Sequence, residues 1–175
     1  MLKDAIDLGE STKFNIEDEY YKMFCNQEEK GEARSERVVF TTDWQRFLWA
    51  FILGIHVETR TPLHNKTKNP PFGTEVFKNH NTILKLMVGL TLQEMYNGNP
   101  HQLKVDYEEA SQNEENLGKK IRIAIEEYAN TGFAIIAQRS REKPGYIESL
   151  EDVVSDILSE KGWSWGGGWG IFIKL

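Results

Sequence analysis

The residues best able to do chemistry are four histidines, one cysteine and three pairs of adjacent glutamates. The histidines are His56, His64, His80 and His101. A structural zinc site draws on closely spaced cysteines, or on histidines one helical turn apart. Neither pattern occurs, a single cysteine completes no multi-thiolate site, and these read as loop histidines with no metal bound. Cys25 would need a neighbouring base and a depressed pKa to act as a nucleophile. Its place on the apolar face of an expected helix makes it a buried structural thiol. The pairs Glu108–Glu109, Glu114–Glu115 and Glu126–Glu127 invite a magnesium nuclease reading. Such sites need carboxylates converging from separate elements, usually beside a positioned lysine. Neighbours on a helix diverge by about 100°, so all three pairs are expected to face solvent. Gly166–Gly168 precede no helix and no Lys-Ser/Thr step, so they are no phosphate cradle. The expectation is a protein without catalytic residues and without a cofactor.

The charge map is more informative. The formal net charge is −6, unevenly spread. Residues 1–36 hold five basic and ten acidic side chains, whereas 37–85 hold seven basic and three acidic. Residues 86–138 return to four basic against eight acidic. A basic block in an acidic chain suits a phosphate backbone or an acidic partner, and equally a solvated face. Arg60, Lys66, Lys68 and Lys78 are the candidate DNA phosphate contacts, with Lys85 completing the block. The helix expected at 42–55 is nearly all apolar, unlike one that offers polar side chains to base edges.

The elements that must position these residues can be read along the chain. Residues 1–16 are polar and unpatterned, and are expected to form a flexible arm. Tyr20 with Phe24, and Tyr21 with Cys25, predict an amphipathic helix over 17–27 behind the acidic start Glu17-Asp18-Glu19. Residues 28–36 read as a mobile loop and 37–41 as a short strand. Thr42 and Gln45 fit a capping box, and Trp44, Phe47, Leu48, Phe51 and Ile55 form a core stripe. Gly54 is expected to end or kink that helix. The turn-rich stretch 56–73 is unusually long for a loop. Thr74–Lys78 reads as a second strand. A helix over 81–96 would place Ile83, Leu86, Met87 and Leu90 inward, and Asn97-Gly98-Asn99-Pro100 stops it. Residues 104–113 read as a polar connection. Leu117, Ile121, Ala124, Ile125 and Tyr128 mark a helix over 114–130, expected to break near Gly132. Ser149 caps a last helix to about Glu160.

The tail is different in kind. Trp163, Trp165 and Trp169 stand among glycines ahead of Ile171-Phe172-Ile173. One reading is a terminal strand that fills the core. The other is a partner-docking segment anchored by Trp163, Trp165, Trp169 and Phe172, since tryptophans favour interface centres.

Together these signs give a mainly α fold: a compact bundle of five or six helices, at most one short two-stranded β ribbon, and an irregular Trp/Gly-rich C-terminal tail. The domain reading is an arm over 1–16, a single helical domain over 17–160, and the tail over 161–175. A chain of 175 residues suits one such core. No apolar stretch is long enough for a transmembrane helix, no signal peptide is evident at Met1-Leu2-Lys3, and a lone cysteine fits a reducing compartment. The expected location is cytoplasmic.

Three segments carry a family resemblance: Phe47 to Gly54, then Arg60-Thr61-Pro62-Leu63, then Ile125-Glu126-Glu127-Tyr128-Ala129-Asn130-Thr131-Gly132-Phe133. In this order they resemble the bacterial Dnd (DNA phosphorothioation) system-associated protein 4 family over about residues 15–160. Thr131 departs from the pattern, where a glycine is expected, and the Trp/Gly tail lies outside it. The resemblance implies a cytoplasmic component of a DNA-modification or anti-phage defence operon. Joined to the lack of a catalytic constellation and to the apolar tail, it gives the expectation of a non-enzymatic accessory subunit that bridges or regulates larger proteins of the same operon at DNA. It transfers no catalytic residue. The alternative is a stand-alone DNA-binding regulator using the basic 37–85 block.

Overall fold

The computed structural model describes residues 12–25, 42–77, 81–112 and 117–142, together with the backbone of 165–166 and 170–171. The order is a short strand β1 (Lys13–Phe14), then α1, an α-helical turn (Asp18–Tyr20) running into a π-helical turn (Tyr21–Cys25). Next come α2 (Asp43–His56), β2 (Phe72–Gly73) and a 3-10 turn (Thr74–Phe77). Helices α3 (Asn81–Tyr96), α4 (Pro100–Gln112) and α5 (Leu117–Glu142) follow. The backbone at β3 (Trp165–Gly166) pairs antiparallel with β4 (Gly170–Ile171). Among the described residues the fold is mainly α, with five helices.

The packing of α2 along α5 dominates the molecule. Two glycines permit it, one on each helix. A Cβ on Gly54 would overlap the Tyr128 carbonyl, and a Cβ on Gly132 would overlap the Ala50 carbonyl. Each helix therefore presses its glycine against the other's backbone, closer than side chains at the crossing would allow. This corrects both glycine expectations. Gly54 does not end α2, which continues to His56, and Gly132 does not break α5, which runs unbroken for 26 residues. The helix cost of glycine, about 1 kcal/mol, is outweighed by the packing each position makes possible.

Around this crossing lies an aromatic core. Phe14, Phe47, Phe51, Phe77 and Phe133 are fully or almost fully buried. The Phe14 ring sits 5.4 Å from Phe47 and 5.8 Å from Phe72, with Phe47 and Phe72 5.2 Å apart edge to face. Phe133 stacks on Phe24 at 5.7 Å and on Tyr20 at 6.1 Å. Cys25 is buried and free, and burial pushes its thiol pKa up, as expected of a structural cysteine.

Several local expectations hold and several are replaced. The Thr42 amide and hydroxyl both donate to Gln45 Oε1, at 3.2 and 3.0 Å, so the expected cap starts α2. A ribbon forms between β1 and β2, neither of them an expected strand, with Lys13 opposite Gly73 and Phe14 opposite Phe72. Thr74–Phe77 is a 3-10 turn and not a strand. The arm expected over 1–16 is docked from Thr12 onward, because Phe14 and Ile16 are core residues. The face of α3 is rotated: Met87, Val88, Thr91 and Tyr96 are buried, whereas Leu86 is 55% exposed. Of the polar stretch 104–113, residues 104–112 belong to α4, whose N-cap is Asn99 and whose first residue is Pro100. The Asn99 Oδ1 accepts from the His101 and Gln102 amides at 3.1 and 3.3 Å. Tyr96 ties the two helices by donating to Asp106 Oδ2 at 3.1 Å, and burial with this bond raises its phenol pKa to about 12.

The segments expected as a mobile loop over 28–36, a strand over 37–41 and a helix over 149–160 lie outside the described residues. So do Lys78 and the side chains of Trp163, Trp165, Trp169 and Phe172.

Candidate nucleic-acid interface

The long segment between α2 and β2 is where the basic side chains meet. Arg60, Lys66 and Lys68 are all exposed on it. Residues 59–74 contain no aspartate or glutamate. A free loop of this length would be mobile, but this one is tied down along its course.

Its first half is held by α5. The Thr61 amide donates to the Glu127 carbonyl at 3.3 Å. The Thr61 and Thr131 hydroxyls share a hydrogen bond of 2.9 Å, and Thr131 also donates to the Glu127 carbonyl at 3.2 Å. The buried Asn130 amide donates to two successive carbonyls, Thr61 at 3.2 Å and Pro62 at 3.3 Å. Its Oδ1 is the one buried side-chain polar atom among the described residues without a hydrogen-bond partner. Leaving an acceptor dry costs about 1–3 kcal/mol, which the paired carbonyl contacts offset. Arg60 Nε lies 3.8 Å from the Glu127 carboxylate.

The second half is held by the strap, residues 12–18. The Glu17 carboxylate accepts from the His64 amide at 2.9 Å and the Asn65 amide at 2.6 Å. The Asp18 amide donates to the Asn65 carbonyl at 2.8 Å, and the Thr67 amide to the Ile16 carbonyl at 3.0 Å. Thr74 closes the ladder on the Thr12 carbonyl at 2.8 Å.

The strap is fixed in turn by α5. Glu126 Oε1 accepts both the backbone amide and the side-chain amide of Asn15, at 3.0 and 2.9 Å. Arg122 Nη1 lies 3.6 Å from the same oxygen and donates to the Lys13 carbonyl at 3.2 Å. Glu126 is only 2% exposed, which corrects the expectation that it faces solvent. Burial raises its pKa, while the Asn15 bonds and the charges of Arg122 and Lys66 oppose the rise.

The structure thus brings Arg60, Lys66 and Lys68 onto one pinned loop. Four positioning residues were missed in the sequence: Asn15, Glu17, Glu126 and Asn130. The available signal was polar residues spaced one helical turn apart, 126 and 130, on a helix whose neighbouring positions are apolar. Two charges outside the basic block also lie here: Lys13, exposed within the strap on β1, and Arg122 beside it on α5. Among the described residues no group of three metal-ligating side chains is present, and no helix is long and apolar enough to cross a membrane.

The segments that carried the resemblance prove to be one mechanical unit. Phe47–Gly54 supplies half of the glycine crossing, Glu126–Gly132 supplies the other half and the clamp, and Arg60–Leu63 is what the clamp holds. No curated protein and no solved structure matches the chain. The model of one family does, over residues 28–162, and by this match the chain belongs to the family of DNA sulphur modification system-associated protein 4.

Proposed function

We propose that this chain is a non-enzymatic accessory subunit that bridges or regulates larger proteins of its operon at DNA, within a DNA-modification or anti-phage defence system of the cytoplasm. The observation that carries the reading is its membership of a family associated with DNA sulphur modification. Support also comes from how the motif polar groups are used. Glu126, Glu127, Asn130 and Thr131 are engaged in holding backbone and loop together. Groups committed to a scaffold in this way are poorly placed to turn over a substrate. The loop carrying Arg60, Lys66 and Lys68 is the surface offered to DNA, and the tail with Trp163, Trp165, Trp169 and Phe172 is the candidate partner anchor.

The test is purification of the tagged full chain, co-expressed with its operon neighbours and treated with nuclease. Stoichiometric recovery of a larger neighbour is the expected result. Recovery of the lone chain overturns the subunit reading. Deleting residues 162–175 is expected to release the partner while leaving the helical circular-dichroism signal unchanged, and a retained partner removes the tail from this role. The cations on a single ordered loop also favour a second reading, a stand-alone DNA-binding regulator. That reading expects DNA binding by the chain without any partner.

A further inference from the structure

We propose that loop 59–69 is a preorganised contact for the sugar-phosphate backbone of duplex DNA, blind to base sequence, with Glu17 as the residue that positions its tip. The proposal deepens the DNA part of the proposed function and does not depend on which protein partner is present.

Three observations carry it. First, the loop offers two exposed lysines outside any ion pair of the described residues. Lys66 and Lys68 are exposed, and three carboxylates beside the loop are already engaged. Glu17 holds two backbone amides, Glu127 faces Arg60, and Glu126 is buried on Asn15. Second, the backbone is fixed at 61, 62, 64, 65 and 67 by bonds to α5 and the strap. A contact surface ordered before binding loses less freedom on association. Third, the side chains between the cations suit this partner better than the alternatives. His64, Asn65 and Asn69 are exposed polar groups able to donate to phosphate oxygens. The tip has no exposed Phe, Tyr or Trp on which single-stranded bases could stack, and no large apolar anchor for a protein. Nor does it present a helix to a groove, so base edges are left unread.

The experiment measures binding of the full-length chain to labelled duplexes of two scrambled sequences, by fluorescence anisotropy across a salt series. Affinity is expected to fall linearly on a log–log plot, with a slope of about −2 to −3 for two or three phosphates neutralised. The two duplexes should bind within about threefold of each other, since phosphate contacts carry no sequence information. The double variant Lys66→Ala/Lys68→Ala should flatten the slope by about 2. Lys104→Ala should leave it unchanged, because Lys104 faces Glu108 at 3.7 Å on α4. Absence of binding at low salt, a parental slope in the double variant, or a tenfold preference between duplexes overturns the proposal. If such a failure occurs while operon partners still co-purify, the accessory-subunit reading stands without it. Glu17 is tested by sign. Removing a negative charge should on charge alone tighten DNA binding, whereas loss of positioning should weaken it. Glu17→Ala is therefore expected to bind about three- to tenfold more weakly at an unchanged slope, with Glu17→Gln recovering part of the loss. Tighter binding by Glu17→Ala removes its positioning role.

Discussion

Glu126 shows how one buried carboxylate can organise a distant part of the chain. Its Oε1 gathers both amide donors of Asn15, 111 residues earlier, while Arg122 lies 3.6 Å away. Burial raises its pKa, so the folded state holds the proton more firmly than the unfolded chain does. The linkage then has a definite sign. The contribution is fully present below the unfolded carboxyl pKa and is lost as pH rises through the higher folded value. Glu126→Gln keeps an oxygen for Asn15 but cannot ionise. Urea unfolding from about pH 4 to pH 7 should therefore show the parent losing stability relative to Glu126→Gln. A parent that gains relative stability over that range would contradict this account of the site. Glu126→Ala strands the Asn15 donors and should cost about 1–3 kcal/mol near pH 4, a cost that shrinks as pH rises and the parent loses stability, read from the same unfolding curves.

At the level of elements, the α2–α5 crossing makes a sharper prediction. Gly54→Ala and Gly132→Ala each force a methyl into a carbonyl on the facing helix, and overpacking of this kind costs about 1–3 kcal/mol or more. Once the helices part to admit the first methyl, the second has room. The double variant should therefore cost less than the sum of the singles, a non-additivity measurable in a double-mutant cycle. Gly89 is the contrast. It is exposed within α3 and a Cβ there meets nothing within 4 Å, so Gly89→Ala should stabilise by about 0.5–1 kcal/mol. Asn99→Ala should remove the α4 cap at a cost of about 0.5–2 kcal/mol, detected as a lower thermal midpoint. These helices also show what was legible in the sequence. Caps and apolar stripes located α2, α3 and most of α5, because those signals are local. Helix α4 was missed because Lys104, Asp106, Glu108 and Glu109 dilute its apolar stripe, and because Asn99-Pro100 serves both to stop one helix and to start the next. Gly132 misled for the opposite reason. Its local propensity argues for a break, and only the facing backbone of Ala50 explains why α5 continues. Strand β1 was invisible because Phe14 owes its burial to Phe47, Phe72 and Phe77, all distant in sequence. The three candidate cations on 60–68 were visible from charge alone, but the residues that fix their loop were not, because each acts across the fold.

For the molecule as a whole, the strap is the least obvious structural part. The family match begins at residue 28, yet Phe14 and Ile16, ahead of it, fill the aromatic core. Phe14→Ala should cost about 3–5 kcal/mol, measured by urea unfolding. A chain starting at residue 18 should lose both the cover over that core and the Glu17 hold on the loop. Hydrogen exchange is then expected to speed up across 61–67 and along the α5 segment facing the strap. Unchanged protection in both regions would mean that the strap is dispensable.

The Asn15–Glu126 clasp also has a consequence in time. The strap leaves the ribosome early, whereas its partner is synthesised 111 residues later. At about 5–20 residues per second, Asn15 waits roughly 5–20 s before the carboxylate that fixes it exists. During translation the strap therefore stays unclasped until α5 emerges, and the loop it holds gains its last anchor from the far side of the fold.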